Sequence, residues 1–275
     1  MSPGMTAVGH TVVHHHNASE DIWLHIDPTG KWTTSGPISD GARDLLNLYL
    51  PLRTDPGLVI GQIGQSLDGR IATETGHSHY VTGPTDIQRL HRLRALVDAV
   101  IVGAGTVTAD NPRLTVRAVD GPNPVRVVLD PSGRVQPDRA VFQDGAAETI
   151  VVRAVGGHQG AVTTGERLEL PLETRDHRDH PSFAPAAVLG ALRARGLRRI
   201  LVEGGGITVS RFLQARVLTR LHVTVAPLLI GSGRHALDLP PIASLTQAWR
   251  PPCRVFHLGN DVLFDLDLQS DTRGS

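Results

Sequence analysis

The residues best suited to chemistry follow an apolar strand near the middle of the chain. Ala99 to Val102 have the composition of a strand that is buried on both faces. Gly103 and Gly105 then allow backbone amides to approach a ligand, because neither residue carries a Cβ. Polar side chains come next, at the carboxyl end of the strand, where open α/β sheets bind ligands: Thr106, Asp110, Asn111 and Arg117. This segment predicts a binding site in which Arg117 meets an anion.

A second glycine-rich segment follows another apolar strand. Ile200 to Val202 lead through Glu203 into Gly204-Gly205-Gly206, where a helix is predicted to begin. Free amides at the N-terminus of a helix, with no side chains in the way, form a cradle for a pyrophosphate. A close crossing of two backbones would also explain the three glycines, so the run alone leaves both interpretations open.

The elements around these two segments predict an α/β fold. Apolar strands alternate with helices predicted over Pro84 to Val97 and Ala186 to Arg195, which favours a mostly parallel sheet with helices on both faces. Residues 253–258 and 262–268 are predicted to close the fold as an antiparallel hairpin. A Rossmann fold is rejected, because the segment 103–108 lacks the third glycine of the dinucleotide motif.

The chain divides into three predicted parts: residues 1–57 as an N-terminal extension, 58–268 as the main domain and 269–275 as a tail. Residues 1–20 are predicted to be a solvated tail, and 22–26 with 31–34 a strand, turn and strand. A helix capped by Ser39 is expected to end at Pro51.

Composition excludes several classes of protein. The 275 residues contain 27 basic and 27 acidic side chains, and this balance does not fit a nucleic-acid binder. No apolar run approaches the roughly 18 residues of a membrane span. A single cysteine, Cys253, and the absence of a signal-peptide pattern lead us to expect a cytoplasmic protein. His77, His79 and His91 lack the spacing of a metal motif, so no metal site is predicted.

Three segments, in this order, resemble the riboflavin-pathway pyrimidine reductases. They are Ser66 to Ala72 with Gly76, Ser78 and Tyr80; Asp98 to Arg117 with Asp110-Asn111-Pro112; and Val202-Glu203-Gly204-Gly205-Gly206. That family forms the C-terminal half of a bacterial bifunctional deaminase/reductase and also a free-standing enzyme. The resemblance covers about residues 58 to 268. It implies a dihydrofolate-reductase-like three-layer sandwich, NADPH as cofactor and a homodimer.

The resemblance also implies roles for individual residues. Glu203 is the candidate catalytic group. The residues that would bind a phosphorylated pyrimidine are Ser78, Arg94, Leu114, Arg117 and Glu203, with Ser78, Arg94 and Arg117 on the phosphate. The residues that would bind the cofactor are Gly64, Tyr80, Thr106, Asp110, Gly204, Gly205, Gly206, Ile207 and Thr208. The family uses an arginine at the position of Arg94, whereas the other arginines of this helix, Arg89 and Arg92, are those of a solvated face.

Two positions depart from the family pattern. Gln62 stands where bacterial bifunctional enzymes usually carry lysine, which leaves the exact pyrimidine open. Pro131 stands where a serine commonly contacts NADP, with Ser132 and Arg134 just beyond it. The zinc motifs of the partner deaminase are absent.

The implied activity is NADPH-dependent reduction of the ribosyl side chain of a ribosylaminopyrimidine 5′-phosphate to the ribityl form. The substrate would be 5-amino-6-(5-phosphoribosylamino)uracil or its diaminopyrimidinone counterpart. Two alternatives remain: a reductase of the same fold that acts on a dihydrofolate-like or other imine, and a catalytically silent nucleotide-binding protein.

Overall fold

A short antiparallel sheet and one helix make up the first of two units of the chain. The computed structural model describes residues 11–17, 20–78, 81–157, 165–172, 174–175 and 181–269. The units are Met1–Leu58 and Val59–Ser275. The elements of the first are β1 (Thr11–Asn17), β2 (Glu20–Ile26), β3 (Trp32–Thr34) and α1 (Asp40–Thr54).

Two predictions for the first unit were wrong. Residues 11–17 were assigned to a solvated tail, but they pair antiparallel with β2 from Thr11 opposite Ile26 to Asn17 opposite Glu20. Backbone pairing forms this strand without an apolar alternation that the sequence could reveal. The helix was expected to end at Pro51, but it continues to Thr54, and Leu52 in this last turn is buried. A proline removes only one backbone donor, so the remaining turn can persist.

The second unit contains the longer elements. Its helices are α2 (Pro84–Leu96), α3 (Ala104–Asp110), α4 (Ala140–Gln143), α5 (Pro185–Arg193) and α6 (Gly206–Gln214), with a 3₁₀ turn at Leu245–Gln247. Its strands are β4 (Val59–Ser66), β5 (Arg70–Thr73), β6 (Ala99–Gly103), β7 (Val125–Leu129), β8 (Thr149–Ala154), β9 (Glu166–Leu170), β10 (Thr174–Arg175), β11 (Pro181–Ser182), β12 (Ile200–Glu203), β13 (Arg220–Ala226), β14 (Gly233–His235), β15 (Cys253–Leu258) and β16 (Asp261–Asp267).

Nine of these strands form one sheet in the order β15-β16-β13-β4-β12-β6-β7-β8-β9. The strands from β13 to β9 are parallel to their neighbours, whereas β16 runs antiparallel to both β13 and β15. The predicted α/β class, the mostly parallel sheet and the C-terminal hairpin are therefore confirmed.

The two faces of the sheet differ in polarity. On one face, Val59, Ile101 and Ile200 belong to a buried apolar cluster with side chains from α5 and α6. Because side chains alternate along a strand, the next row points to the opposite face. There α2 lies against the sheet, since its Arg89 bonds to His222 and its Arg94 to Glu203. Helices thus cover both faces, and polar groups concentrate under α2.

None of the helices in the described ranges is long and apolar enough to cross a membrane.

Candidate active site

A cleft of about 600 Å³ opens at the carboxyl ends of the parallel strands. Its walls come from the turns after β6, β7 and β12, which the sheet order brings side by side. Seven predicted site residues line it: Ser78, Thr106, Asp110, Gly205, Gly206, Ile207 and Thr208. Gly103 and Gly105, the two glycines that follow the apolar strand, line it as well. The two glycine-rich segments therefore face one space, as strand ends in an open α/β sheet do.

The glycine run after β12 requires glycine for conformation and for space. Gly204 and Gly205 have φ of +74° and +63°, in the left-handed region that other residues avoid. A Cβ on Gly205 would come within 2.8 Å of Thr106 Oγ1, and one on Gly206 would overlap the Ala236 carbonyl. The close crossing of two backbones is therefore confirmed. Gly205 and Gly206 also line the cleft, and a pyrophosphate cradle at the start of α6 stays a prediction.

Charged side chains line the cleft beyond the glycines. Arg134, Arg211 and Arg234 contribute to its wall, as do the carboxylates of Asp110 and Asp238. Pro131, Ser132 and His235 complete this part of the lining. The loop that carries Arg134 is held by Asp130, whose two carboxylate oxygens accept from the amides of Arg134 and Val135, both at 3.0 Å. Three arginines against two aspartates leave the lining with a net positive charge, which favours an anionic ligand.

Ser78 and Asp110 lie together in this cleft. The Ser78 hydroxyl donates to Asp110 Oδ1 at 2.9 Å. The sequence assigned the serine to the substrate phosphate and the aspartate to the cofactor. The structure joins them, and a phosphate at Ser78 would meet the carboxylate. Tyr80, another predicted cofactor ligand, lies outside the described residues.

A second polar cluster forms where α2 crosses the end of β12. Arg94 donates from Nε to Glu203 Oε2 at 2.9 Å, and its Nη2 contacts Glu203 Oε1. Its Nη1 donates to the Thr115 carbonyl at 3.1 Å. This bidentate pair holds the Glu203 carboxylate in one orientation, directly before the glycine run. Arg94 is buried, and Glu203 is half-buried.

Arg117 is the exposed cation of this cluster. Its Nη1 donates to Thr115 Oγ1 at 2.7 Å, and its backbone amide donates to His91 Nδ1 at 2.9 Å. Partial burial and the neighbouring charges of Arg94 and Arg113 lower the pKa of Arg117 from its ordinary value. Crowded cations gain most from an added anion, because the anion relieves their mutual repulsion.

Sequence reasoning missed two members of this cluster. His91 was weighed only as a metal ligand, and Thr115 was given no role. One signal was available for His91: it lies three residues before Arg94, so a helix places both on the same face. No such signal exists for Thr115, because its contacts depend on the path of a segment without regular structure.

The remaining predicted residues lie close to these clusters. A Cβ on Gly64 would come within 2.8 Å of Thr82 Cγ2, so the glycine permits a close approach of the chain there. Leu114 has φ of +57° and a buried side chain, which leaves only its backbone for a ligand contact. Gln62 lies in register between Glu203 and His222, and its buried Oε1 has no hydrogen-bond partner among the described residues.

Comparison with known proteins agrees with this geometry. The RibD C-terminal domain family matches residues 58–264. The chain is 34% identical over 214 residues to the 2,5-diamino-6-ribosylamino-4(3H)-pyrimidinone 5′-phosphate reductase of Methanothermobacter thermautotrophicus, covering 75% of this chain and 96% of that protein. It is 35% identical to the riboflavin biosynthesis protein RibD of Bacillus amyloliquefaciens, covering 75% of this chain but only 55% of that protein.

Solved structures show the same relationship. The deaminase/5-amino-6-(5-phosphoribosylamino)uracil reductase of Thermotoga maritima has a TM-score of 0.65 at 25% identity, over 82% of this chain and 59% of that one. A riboflavin biosynthesis reductase of Saccharomyces, Rib7, shares the fold at 20% identity, with a TM-score of 0.59 over 76% of this chain and 89% of that one. This chain belongs to the RibD C-terminal domain family, the reductase family of riboflavin biosynthesis.

Proposed function

We propose that this protein reduces the ribosyl side chain of a ribosylaminopyrimidine 5′-phosphate to the ribityl form, with NADPH as the hydride source. One observation carries the proposal. Glu203, held by Arg94, directly precedes the glycine run of the cleft, so the cofactor cleft and the cationic cluster meet at one carboxylate. A reductase needs its hydride donor and its substrate to meet at such a point.

The cleft fits a nicotinamide dinucleotide. Gly204 and Gly205 keep backbone amides bare where α6 begins, and a Cβ at either position would be strained. When bound, the reduced nicotinamide supplies the hydride. We assign Gly204 to Thr208, with Thr106 and Asp110, to the cofactor.

The preference for NADPH over NADH rests on the wall of the cleft. Ser132 and Arg134 line it after β7, and a hydroxyl beside a guanidinium suits a ribose 2′-phosphate. Titration of the full chain with each cofactor by fluorescence tests this. We expect tighter binding of NADPH, and Arg134→Ala should remove most of the difference; equal affinities in the wild type would contradict the assignment.

The second cluster would hold the substrate. We assign Arg117 to the phosphate, because its guanidinium is exposed and bonded at only one of its nitrogens in the described structure. The guanidinium of Arg94 is already bonded to Glu203 and to the Thr115 carbonyl. We therefore propose that Arg94 affects catalysis mainly by orienting Glu203. Hydride transfer from NADPH forms a C–H bond at C1′ and breaks the bond from C1′ to the ring oxygen, which takes up a proton from a water molecule. We assign Glu203 the role of orienting that water.

Direct assay tests the proposed reaction. The full chain is incubated with NADPH and, separately, with the diaminopyrimidinone and the uracil forms of the phosphorylated substrate. We expect oxidation of NADPH and a ribityl product with at least one of them. Turnover of dihydrofolate alone, or binding of NADPH without turnover of any of these compounds, would overturn the proposal in favour of an alternative.

Three further expectations stay proposals. We propose that residues 1–57 act as an extension to a main domain of residues 58–268, that the protein is a cytoplasmic homodimer, and that nucleic acid is not a partner. Light scattering on the full chain tests the oligomeric state, and a monomer would contradict it.

A further inference from the structure

We propose that His91 is a positioning residue that fixes Arg117 and so aims its guanidinium at the substrate anion. The proposal rests on the proposed function, because Arg117 is taken there as the phosphate ligand. His91 lies on α2 and is not assigned to the substrate. It would act by fixing the backbone of the segment 111–117, which carries Arg117.

The first observation is how the segment 111–117 is held. It has no regular secondary structure, so its backbone groups need partners from elsewhere. Four side chains supply some of them. His91 Nδ1 accepts from the Arg117 amide at 2.9 Å, and Arg94 Nη1 donates to the Thr115 carbonyl at 3.1 Å. Asn123 Oδ1 accepts from the Val116 amide at 2.7 Å, and Arg126 Nη1 donates to the Arg113 carbonyl at 3.3 Å. Two of the four, those that hold residues 115 and 117, come from one face of α2.

The second observation is that His91 has the protonation state this bond needs. Nδ1 can accept from the Arg117 amide only while it is unprotonated. The side chain is buried. Burial first, and then the positive charges of Arg94 and Arg117, lower the pKa of His91 to about 4, against opposing contributions from Glu203 and the Thr115 backbone. The imidazole therefore remains a neutral acceptor at physiological pH.

The third observation is that the bond leaves Arg117 free to act. The residue is anchored at its amide by His91 and at Nη1 by the buried Thr115 hydroxyl. A guanidinium has five N–H donors, and within the described structure only Nη1 of the Arg117 guanidinium has a hydrogen-bond partner. Such a group, fixed at both ends of the residue, is preorganised for an anion.

The test compares three variants that differ in where they carry an acceptor. His91→Asn places Oδ1 close to the position of Nδ1, His91→Gln moves the acceptor to the position of Nε2, and His91→Leu has none. We expect the Gln and Leu variants to raise KM for the phosphorylated substrate about tenfold with kcat and cofactor affinity little changed. His91→Asn should restore KM to within about threefold of the wild type.

A second measurement separates the proposal from loss of folding and from failure of the proposed function. Ribose 5-phosphate is titrated into the full chain by calorimetry, which needs no turnover. We expect His91→Gln to weaken the binding of ribose 5-phosphate when Arg117 is present but not in an Arg117→Ala background, because His91 acts through Arg117. Equal losses in both backgrounds, or no difference between the Asn and Gln variants, would overturn the positioning role. A wild type that binds ribose 5-phosphate but turns over no pyrimidine would overturn the proposed function alone.

Discussion

The helix α2 contributes to two clusters of polar and charged residues that contain similar residue types but differ in accessibility. The closed cluster comprises Asp86, Arg89, His222, Thr224 and Asp265. The open cluster comprises His91, Arg94, Thr115, Arg117 and Glu203. Every member of the closed cluster is nearly inaccessible, whereas Arg117 is exposed and Glu203 half-buried.

Neighbouring side chains pair the charges of the closed cluster, and Asp265 also accepts from Arg220 Nη1 at 2.7 Å and from Arg254 Nη2 at 2.6 Å. Asp86 Oδ1 accepts from Arg89 Nε at 2.7 Å and from the Thr224 hydroxyl at 2.8 Å, and Arg89 Nη1 lies 3.0 Å from His222 Nδ1. In the open cluster one guanidinium remains directed at solvent. The difference teaches that accessibility, and not residue type, separates a structural charge network from a binding site.

Gln62 marks the boundary between the two clusters. It lies in register between His222 of the closed cluster and Glu203 of the open one. Its buried Oε1 lacks a hydrogen-bond partner among the residues described, which fits a position next to a site that a ligand completes.

The largest effect is expected from breaking the closed cluster. Asp86→Ala leaves the buried guanidinium of Arg89 without its carboxylate and should lower the free energy of unfolding by about 3–5 kcal/mol. Urea denaturation measures this. The matched control is Asp138→Ala, whose exposed carboxylate pairs with Arg139 and whose loss should cost about 0.5 kcal/mol or less. A loss below about 1 kcal/mol for Asp86→Ala would contradict the comparison.

Removing the exposed cation of the open cluster should affect catalysis and leave stability unchanged. Arg117→Ala removes charge-assisted hydrogen bonds to a phosphate, each about 1.5–3 kcal/mol, so kcat/KM should fall at least about tenfold to a hundredfold. The free energy of unfolding should stay within about 0.5 kcal/mol of the wild type. Arg193→Ala, at an exposed position on α5, serves as the control and should change neither quantity.

Arg94 should show both kinds of effect, because it is buried like the closed cluster and bonds to Glu203 of the site. Arg94→Ala is expected to lose stability, measured by urea denaturation, and kcat/KM together. A purely catalytic effect would place Arg94 on the substrate phosphate, as the sequence predicted.

The glycine run Gly204 to Gly206 allows a test of the proposed cofactor site that leaves both clusters unchanged. Gly205→Ala imposes a Cβ at φ +63° and 2.8 Å from Thr106 Oγ1. Strain of about 1–2 kcal/mol should weaken NADPH binding roughly fivefold to thirtyfold. Gly190→Ala is the control, since a Cβ there meets nothing within 4 Å inside α5 and should leave affinity unchanged. Fluorescence titration measures the NADPH affinity of both variants. Equal affinities would contradict the assignment of the glycine run to the cofactor.

The smallest effect concerns pH. The pKa of His91 is about 4 in the folded protein and about 6.5 when unfolded, so the unfolded chain binds the proton first as pH falls. Stability is therefore lost below pH 6.5, and the loss levels off below about pH 4. Between pH 7 and 5.5 the wild type should lose about 1 kcal/mol more than His91→Asn. An identical pH dependence in the two proteins would show that His91 titrates normally.

Local patterns made much of the fold predictable. The apolar strand Ala99 to Val102, the glycine run at Gly204 to Gly206 and the hairpin near Gly259 each carry their signal within a few residues. Strand β1 has no such signal, because it is formed by pairing with β2. The persistence of α1 beyond Pro51 likewise depends on the folded context of that turn and not on local propensity.

The site was predictable only in part. The resemblance supplied Arg94, Arg117 and Glu203, but not that Arg94 is bonded to Glu203. That pair joins positions 109 residues apart in the sequence. It forms because α2 packs against the end of β12, which the sequence does not reveal. The arginine at 89, assigned by its helix to a solvated face, is in fact fully buried. Its partners, His222 and Thr224, come from a strand that the helix pattern cannot reveal.

If the open cluster binds the substrate phosphate, selectivity for that phosphate depends on Arg117. This is tested by measuring kcat/KM for the phosphorylated ribosylaminopyrimidine and for its dephosphorylated form, in the wild type and in Arg117→Ala. We expect the wild type to prefer the phosphorylated form at least about tenfold and Arg117→Ala to reduce this ratio to near one. A ratio that survives Arg117→Ala unchanged would contradict it.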